Sequence, residues 1–155
     1  MSTGDDARVA VVTGGSAGIG LAICEQLLAD GLVVVSLARR ACPIEHPKLH
    51  SVEVDLLDRA ATAAAANEIA ARFAVTTVVH NAGVIRPALL ADGKLDDLAA
   101  LVELHLGAAV QLEQAALPAM RERRFDQSVR TSSHAPSGKR PTDFSNASRS
   151  STPSR

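Results

Sequence analysis

Tyrosine and tryptophan are absent from this 155-residue chain, and its aromatic side chains are three phenylalanines. No side chain can therefore offer a phenolic proton, and there is no set of aromatic rings on which nucleic-acid bases could stack. Cysteine is scarce. Cys24 and Cys42 form neither a Cys-x-x-Cys pair nor a metal-ligand spacing, so they read as reduced thiols of a cytoplasmic protein and no metal site is expected. Net charge is close to zero, at −1, which removes the general electrostatic reason to expect nucleic acid or an acidic membrane as partner. No apolar run reaches membrane-spanning length. The acidic start Met1-Ser-Thr-Gly-Asp-Asp6 lacks the basic and apolar regions of a secretory signal.

Hydrophobic residues nevertheless make up 46% of the chain, enough for one domain with a core. They are unevenly placed. From Phe125 to Arg155 only five of 31 residues are hydrophobic and nine are serine. Charge changes sign at the same place, from a net of −6 over residues 1–120 to +5 over residues 121–155. The composition therefore predicts a folded domain over residues 1–124 and a Ser/Arg-rich, low-complexity tail over 125–155. That tail buries too little apolar surface to offset its ordering entropy and is expected to be disordered, apart from a weak strand signal at Ser128–Thr131.

Within the first part, short apolar runs alternate with helical patterns. Arg8–Thr13 reads as a buried strand. Ile19, Ile23 and Leu27 mark one helix face, which Asp30-Gly31 closes. Leu32–Leu37 and Ser51–Val54 are further strands, and Asp58–Phe73 is an alanine-rich helix. Thr76–Val79 is a fourth strand. Lys94–Met120 reads as one long helix with Leu98, Leu101, Val102, His105, Ala109 and Leu112 along one side. Such alternation implies a doubly wound α/β fold, a parallel sheet with helices on both faces. Right-handed crossovers give about four strands in the order 3-2-1-4. With nothing beyond it, the fourth strand would be an exposed apolar edge.

The link between the first strand and first helix is Thr13-Gly-Gly-Ser-Ala-Gly-Ile-Gly20. Gly14 allows a sharp turn off the strand, while Gly18 and Gly20 keep side chains away from backbone N–H groups at a helix N-terminus. A pyrophosphate can approach there, favoured by the helix dipole. Strand before and helix after are the context that gives such a loop its meaning as a dinucleotide site. A site of this kind commonly carries a carboxylate at the end of the second strand, for the ribose 2′-hydroxyl. Here that strand ends Ser36-Leu-Ala-Arg-Arg40. Guanidinium groups suit a 2′-phosphate, so NADP(H) is favoured over NAD(H); the other reading is that Arg39 and Arg40 solvate a turn.

Several motifs in one order resemble those of the short-chain dehydrogenases/reductases. They are Thr13-Gly14-x-x-x-Gly18-x-Gly20, Asp55-Leu56 after the third strand, and His80-Asn81-Ala82-Gly83 after the fourth. Leu104-His105-Leu106-Gly107 and Leu117-Pro118-Ala119-Met120 follow in the long helix. The resemblance covers residues 8 to about 124 and implies a Rossmann-like fold. It further implies that Gly14, Ser16, Gly18, Ile19 and Gly20 line the pyrophosphate and that Arg39 meets the 2′-phosphate. Asp55 and Leu56 would flank adenine, and Asn81, Ala82 and Gly83 would lie toward the ribose and nicotinamide.

The family's chemistry is hydride transfer between a nicotinamide and a small carbonyl or alcohol, with a tyrosine moving the proton and a lysine four residues later. This chain has no tyrosine. His105 stands where the family has a helix asparagine, and it reads either as a titratable group or as a polar filler. The tail segments Thr131-Ser-Ser133 and Thr142–Ser148 echo the family's serine and Tyr-x-x-x-Lys segments, with Phe144 and Ser148 at the tyrosine and lysine places. Ser133 is the one weak catalytic candidate. The simultaneous change in charge, hydrophobicity and likeness near Arg124 suggests a chain truncated or shifted in frame there. The resemblance implies an NADP(H)-dependent oxidoreductase whose catalytic set is incomplete, or else a non-catalytic NADP-binding module or a fragment without function of its own. A homo-oligomer formed through helix 94–120 is the expected assembly.

Overall fold

The computed structural model describes residues 7–85, 87–122 and 127–130, with the backbone alone given for Leu90 and 127–130. Five parallel strands form one sheet: β1 (Val9–Thr13), β2 (Val33–Ala38), β3 (Leu49–Glu53), β4 (Val75–His80) and β5 (Gln127–Arg130). Their order is β3-β2-β1-β4-β5. The expected 3-2-1-4 arrangement is present, and β5 adds to it. Thr77–His80 pairs with Gln127–Arg130, so β4 is not the sheet edge expected from four strands. The fifth strand lies within the segment expected to fall outside the fold, at the place of the weak strand signal. It is four residues long and mostly polar, too short to show a period. The rest of the tail, with Ser133 and Phe144, lies outside the described residues.

Alternation along the strands divides the core between the two faces of the sheet. Val9, Val11, Val35, Leu37 and Val78 pack beneath Ala65, Ala66 and Ile69 of α2 (Arg59–Arg72) and Leu112, Ala116 and Met120 of α4 (Ala108–Glu122). Val12, Val34 and Val79 pack on Cys24 and Leu28 of α1 (Gly18–Ala29). The buried stripe of α1 is Gly20, Cys24 and Leu28, one residue on from the expected Ile19, Ile23 and Leu27. Ile19 is 67% exposed. The shift arises because two non-aliphatic positions, a glycine and a cysteine, make the close contact with the sheet.

Helix α2 begins at Asp58, whose Oδ1 accepts from the Ala61 N–H at 2.9 Å. This satisfies one of the unpaired donors of the first turn. The alanines at 65 and 66 let α2 lie close against the small residues Ala108 and Ala116 of α4.

The long helix expected over 94–120 is interrupted. It runs as α3 (Leu95–Val102), a π-helical turn (Glu103–Gly107), then α4. A π turn carries more residues per revolution, so it rotates the side-chain phase. Ala108, Ala109, Leu112, Ala116 and Met120 consequently face inward, four apart after the first pair. Leu98 and Val102, expected on the same side as Leu112, are instead 56% and 49% exposed. A Cβ at Gly107 would stand 2.7 Å from Glu103 Oε1, so the glycine leaves room for that carboxylate. The Glu103 carboxylate reaches across to form an ion pair with Arg59 at the start of α2. That guanidinium holds the Glu103 carboxyl below the usual carboxylate range through its hydrogen bond.

Candidate functional site

A cleft of about 330 Å³ opens at the C-terminal ends of β1, β2 and β4, where the order of strands reverses about β1. This is the place at which parallel α/β sheets take ligands. Its walls are Gly14, Ser16 and Ala17 from the loop after β1, Leu37–Arg40 from the end of β2, and Val54–Leu57 after β3. Asn81–Val84 after β4 and Leu104 in the π turn complete it. Of the residues singled out in the sequence, Gly14, Ser16, Arg39, Asp55, Leu56, Asn81, Ala82 and Gly83 are brought together here. Gly18, Ile19 and Gly20 are not part of this wall; they form the first turn of α1.

The loop is held by its neighbours rather than by its own sequence. Gly14 has φ +72°, a conformation that a Cβ strains, and its N–H donates to the Leu37 carbonyl at 2.7 Å. Asn81 reaches over from the end of β4, and its Nδ2 donates to the Thr13 and Gly14 carbonyls at 3.2 and 3.4 Å. Thr13 Oγ1 accepts from the Asn81 and Ala82 N–H groups, each at 3.0 Å. Gly20 is required for a different reason from the one its spacing suggests. A Cβ there would fall 2.1 Å from the Gly14 carbonyl oxygen and 2.5 Å from Asn81 Nδ2. The glycine thus makes room for protein, the neighbouring turn of the loop. Gly18 has φ +57° and open space around it.

Gly15 was missed by the motif. A Cβ there would lie 2.4 Å from Ser36 Oγ and 2.8 Å from Cys24 Sγ. No spacing rule points to it, because its constraint comes from β2 and α1 across the sheet face. Leu37 and Ala38 read as strand residues, and Thr13 and Leu104 stand in the motifs without a role of their own; only the fold shows that Thr13 frames the cleft and that the other three line it.

The ligand chemistry of the cleft is graded along its length. Helix α1 starts after Ala17 with no side-chain cap and no acidic residue in its first turn, so the N–H groups of that turn are free to meet an anion. Arg39 and Arg40 are exposed at the β2 end. Asp55 is turned onto its own backbone, its Oδ1 accepting from the Leu57 N–H at 3.0 Å, while Leu56 is buried. At the other end, the His105 ring lies against Gly83, whose Cβ would stand 2.7 Å from His105 Cε1. His105 Nε2 is 3.4 Å from the Val84 carbonyl oxygen, and the residue is exposed. It covers the loop after β4 from an exposed position on the π turn. His80 lies deeper, with Nε2 3.0 Å from Glu113 Oε1 on α4.

The family model described as short chain dehydrogenase matches residues 8–145. The chain belongs to the short-chain dehydrogenase family. The match runs past Arg124 into the serine-rich tail, so the likeness is not confined to the nucleotide-side motifs. Farnesol dehydrogenase of Aedes aegypti is 33% identical over 131 residues, which cover 77% of this chain and 54% of that protein. A short-chain dehydrogenase from Streptomyces avermitilis superposes with a TM-score of 0.75 at 31% identity, over 84% of this chain and 50% of that one. A 3-oxoacyl (acyl-carrier-protein) reductase from Agrobacterium tumefaciens, solved with NADP bound, superposes with a TM-score of 0.68 at 28% identity. That match covers 79% of this chain and 51% of the other. The chain spans about half the length of the curated relatives it matches. Among the described residues, no helix is long and apolar enough to cross a membrane.

Proposed function

We propose that this chain is the cofactor-holding half of an NADP(H)-dependent oxidoreductase of the cytoplasm. The observation that carries the reading is the pairing, in one cleft, of an uncapped helix N-terminus behind Gly14–Ala17 with two arginines at the end of β2. The helix start fits a pyrophosphate and the guanidinium groups fit a 2′-phosphate. In this reading Gly14, Ser16, Gly18, Ile19 and Gly20 surround the pyrophosphate and Arg39 takes the 2′-phosphate. Asp55 and Leu56 flank the adenine, and Asn81, Ala82 and Gly83 border the ribose and nicotinamide. The nicotinamide, once bound, supplies the hydride for a small carbonyl or alcohol. The nucleotide-binding unit comprises the first 124 residues together with β5.

Turnover needs a group that moves the substrate oxygen's proton, and the chain has no tyrosine for it. That absence favours a second reading, an NADP-binding module without catalysis. Titration of the purified chain with NADPH and NADH, followed by NADPH oxidation assays with small aldehydes and ketones, separates the two. Tight NADPH binding without turnover supports the module, and turnover supports the enzyme. The absence of binding at millimolar cofactor overturns both and leaves a fragment with no function of its own.

The expected oligomer also gains support. Leu95, Leu98, Val102, Leu106 and Val110 are all exposed and recur every three or four residues along α3, the π turn and α4. A second copy of the chain packed on this stripe would bury it. Sedimentation of the wild type against Val102→Glu tests this, with the dimer expected to dissociate.

A further inference from the structure

Cys24 and Cys42 are 18 positions apart in sequence, yet the fold places them side by side beneath the cofactor loop. Cys24 points inward from α1 and is fully buried; Cys42 is 8% exposed, four residues beyond the end of β2. The Ser36 hydroxyl of β2 and the Cys24 thiol both crowd the place of a Gly15 Cβ, at 2.4 and 2.8 Å, and Ser51, which holds the Cys42 N–H, pairs with Ser36 across β2 and β3, so both cysteines are gathered about Ser36. Both thiols are free. Ser36 Oγ is itself buried without a hydrogen-bond partner. Residues 41–46 have no regular secondary structure. Cys42 is held there through its N–H, which donates to Ser51 Oγ at 3.0 Å.

We propose that Cys24 and Cys42 are a modification site, forming a reversible intramolecular disulfide that repositions the arginine-bearing segment of the cleft. The oxidant is a small-molecule disulfide such as oxidised glutathione. Cys42, the nearer to solvent, attacks one of its sulfurs; the first glutathione leaves as a thiol, carrying the proton Cys42 gave up. Cys24 then attacks Cys42 Sγ and displaces the second glutathione, which takes the Cys24 proton. Two protein thiols lose two electrons and two hydrogens, and one disulfide becomes two thiols. A disulfide requires its sulfurs at bonding distance and its Cβ atoms within about 4.5 Å, and in the proposal the two thiols, now free, reach it by Cys42 drawing toward α1. Arg39 and Arg40 precede it by three and two residues and move with it. Cys24 Sγ, which now abuts Gly15, swings away from the loop. The disulfide itself does not depend on the proposed NADP(H) reading, whereas its effect on the cleft rests on it.

The test uses the full chain in glutathione redox buffers. In oxidised buffer the wild type is expected to lose both free thiols, to fall in mass by two hydrogens, and to give a proteolytic peptide joining the Cys24 and Cys42 segments. Dithiothreitol should restore the thiols. Cys42→Ser should retain Cys24 as a free thiol in the same buffer. Oxidation should quicken with pH, because burial and the adjacent Cys42 push the Cys24 thiol up to about 12. Two thiols that persist in oxidised buffer, glutathione adducts on both cysteines, or bonds only between chains would overturn the proposal. Titration with NADPH should then show binding weaker by about fivefold or more in the oxidised form, the scale of a modest coupling between sites. Equal affinity in the two forms refutes the repositioning, while no binding by either form refutes the NADP(H) reading and leaves the disulfide standing.

Discussion

Asn81 grips Thr13 twice: its backbone N–H donates to Thr13 Oγ1 at 3.0 Å and its side-chain Nδ2 donates to the Thr13 carbonyl at 3.2 Å. The end of β4 is thereby locked to the end of β1, and the cleft is shaped before any ligand arrives. Thr13 Oγ1 also takes the Ala82 N–H and is 3% exposed as a residue. Thr13→Val keeps the shape and removes the acceptor, leaving two N–H groups without it. A donor left without a partner costs about 1–3 kcal/mol when buried, and these two are only part-buried at the cleft wall, so denaturant unfolding should show a loss of about 1–3 kcal/mol in all. Thr13→Ser should recover most of it, since the hydroxyl is what these N–H groups need.

The glycines of the loop should not be equivalent. At Gly20 an added Cβ meets the Gly14 carbonyl at 2.1 Å, a backbone atom that cannot step aside. Gly20→Ala should therefore cost about 3 kcal/mol or more, or prevent folding. Gly15→Ala meets two side chains, and the double variant with Ser36→Ala should recover part of its loss. Gly18→Ala meets only its positive φ and should cost about 1 kcal/mol. Thermal or chemical unfolding of the three single variants tests this ranking.

Cys24 gives the fold an alkaline limit. Its thiol is pushed from an ordinary 9.0 up to about 12, chiefly by burial and then by Cys42. A group whose folded value is raised contributes its full stability below the unfolded value and loses it as pH rises toward the folded one. Stability should thus fall between about pH 9 and pH 12, by at most about 1.4 kcal/mol per pH unit from this proton. Unfolding midpoints measured across that range should decline less steeply in Cys24→Ala. The chain has no tyrosine whose own ionisation would mask the effect.

The sequence made the sheet legible because parallel strands buried on both faces read as apolar runs, and β1, β2 and β4 are such runs. The loop after β1 was legible for a similar reason, a local requirement for glycine between strand and helix. What escaped was decided at a distance. Gly15 is constrained by Ser36 and Cys24, and the reason for Gly20, if not the residue, was hidden because it lies in the fold of the loop against Gly14 and Asn81. The exposed faces of Leu98 and Val102 depend on a π turn that a fixed 3.6-residue period cannot anticipate. The buried stripe of α1 runs through Gly20 and Cys24, which carry little hydrophobic signal, while the aliphatic Ile19 remains outside. Strand β5 owes its place to β4 and shows almost no pattern of its own.

The central claim is that the cleft selects a 2′-phosphorylated dinucleotide through the arginines at the end of β2. Isothermal titration of NADPH and NADH against the wild type and Arg39→Ala/Arg40→Ala tests it most directly. Hydrogen bonds to charged groups are worth about 1.5–3 kcal/mol. The account therefore predicts that NADPH binds the wild type tenfold or more tighter than NADH, and that the double variant loses this preference while its NADH affinity is little changed. Equal affinity for the two cofactors in the wild type, or a variant that keeps its preference for NADPH, would contradict it.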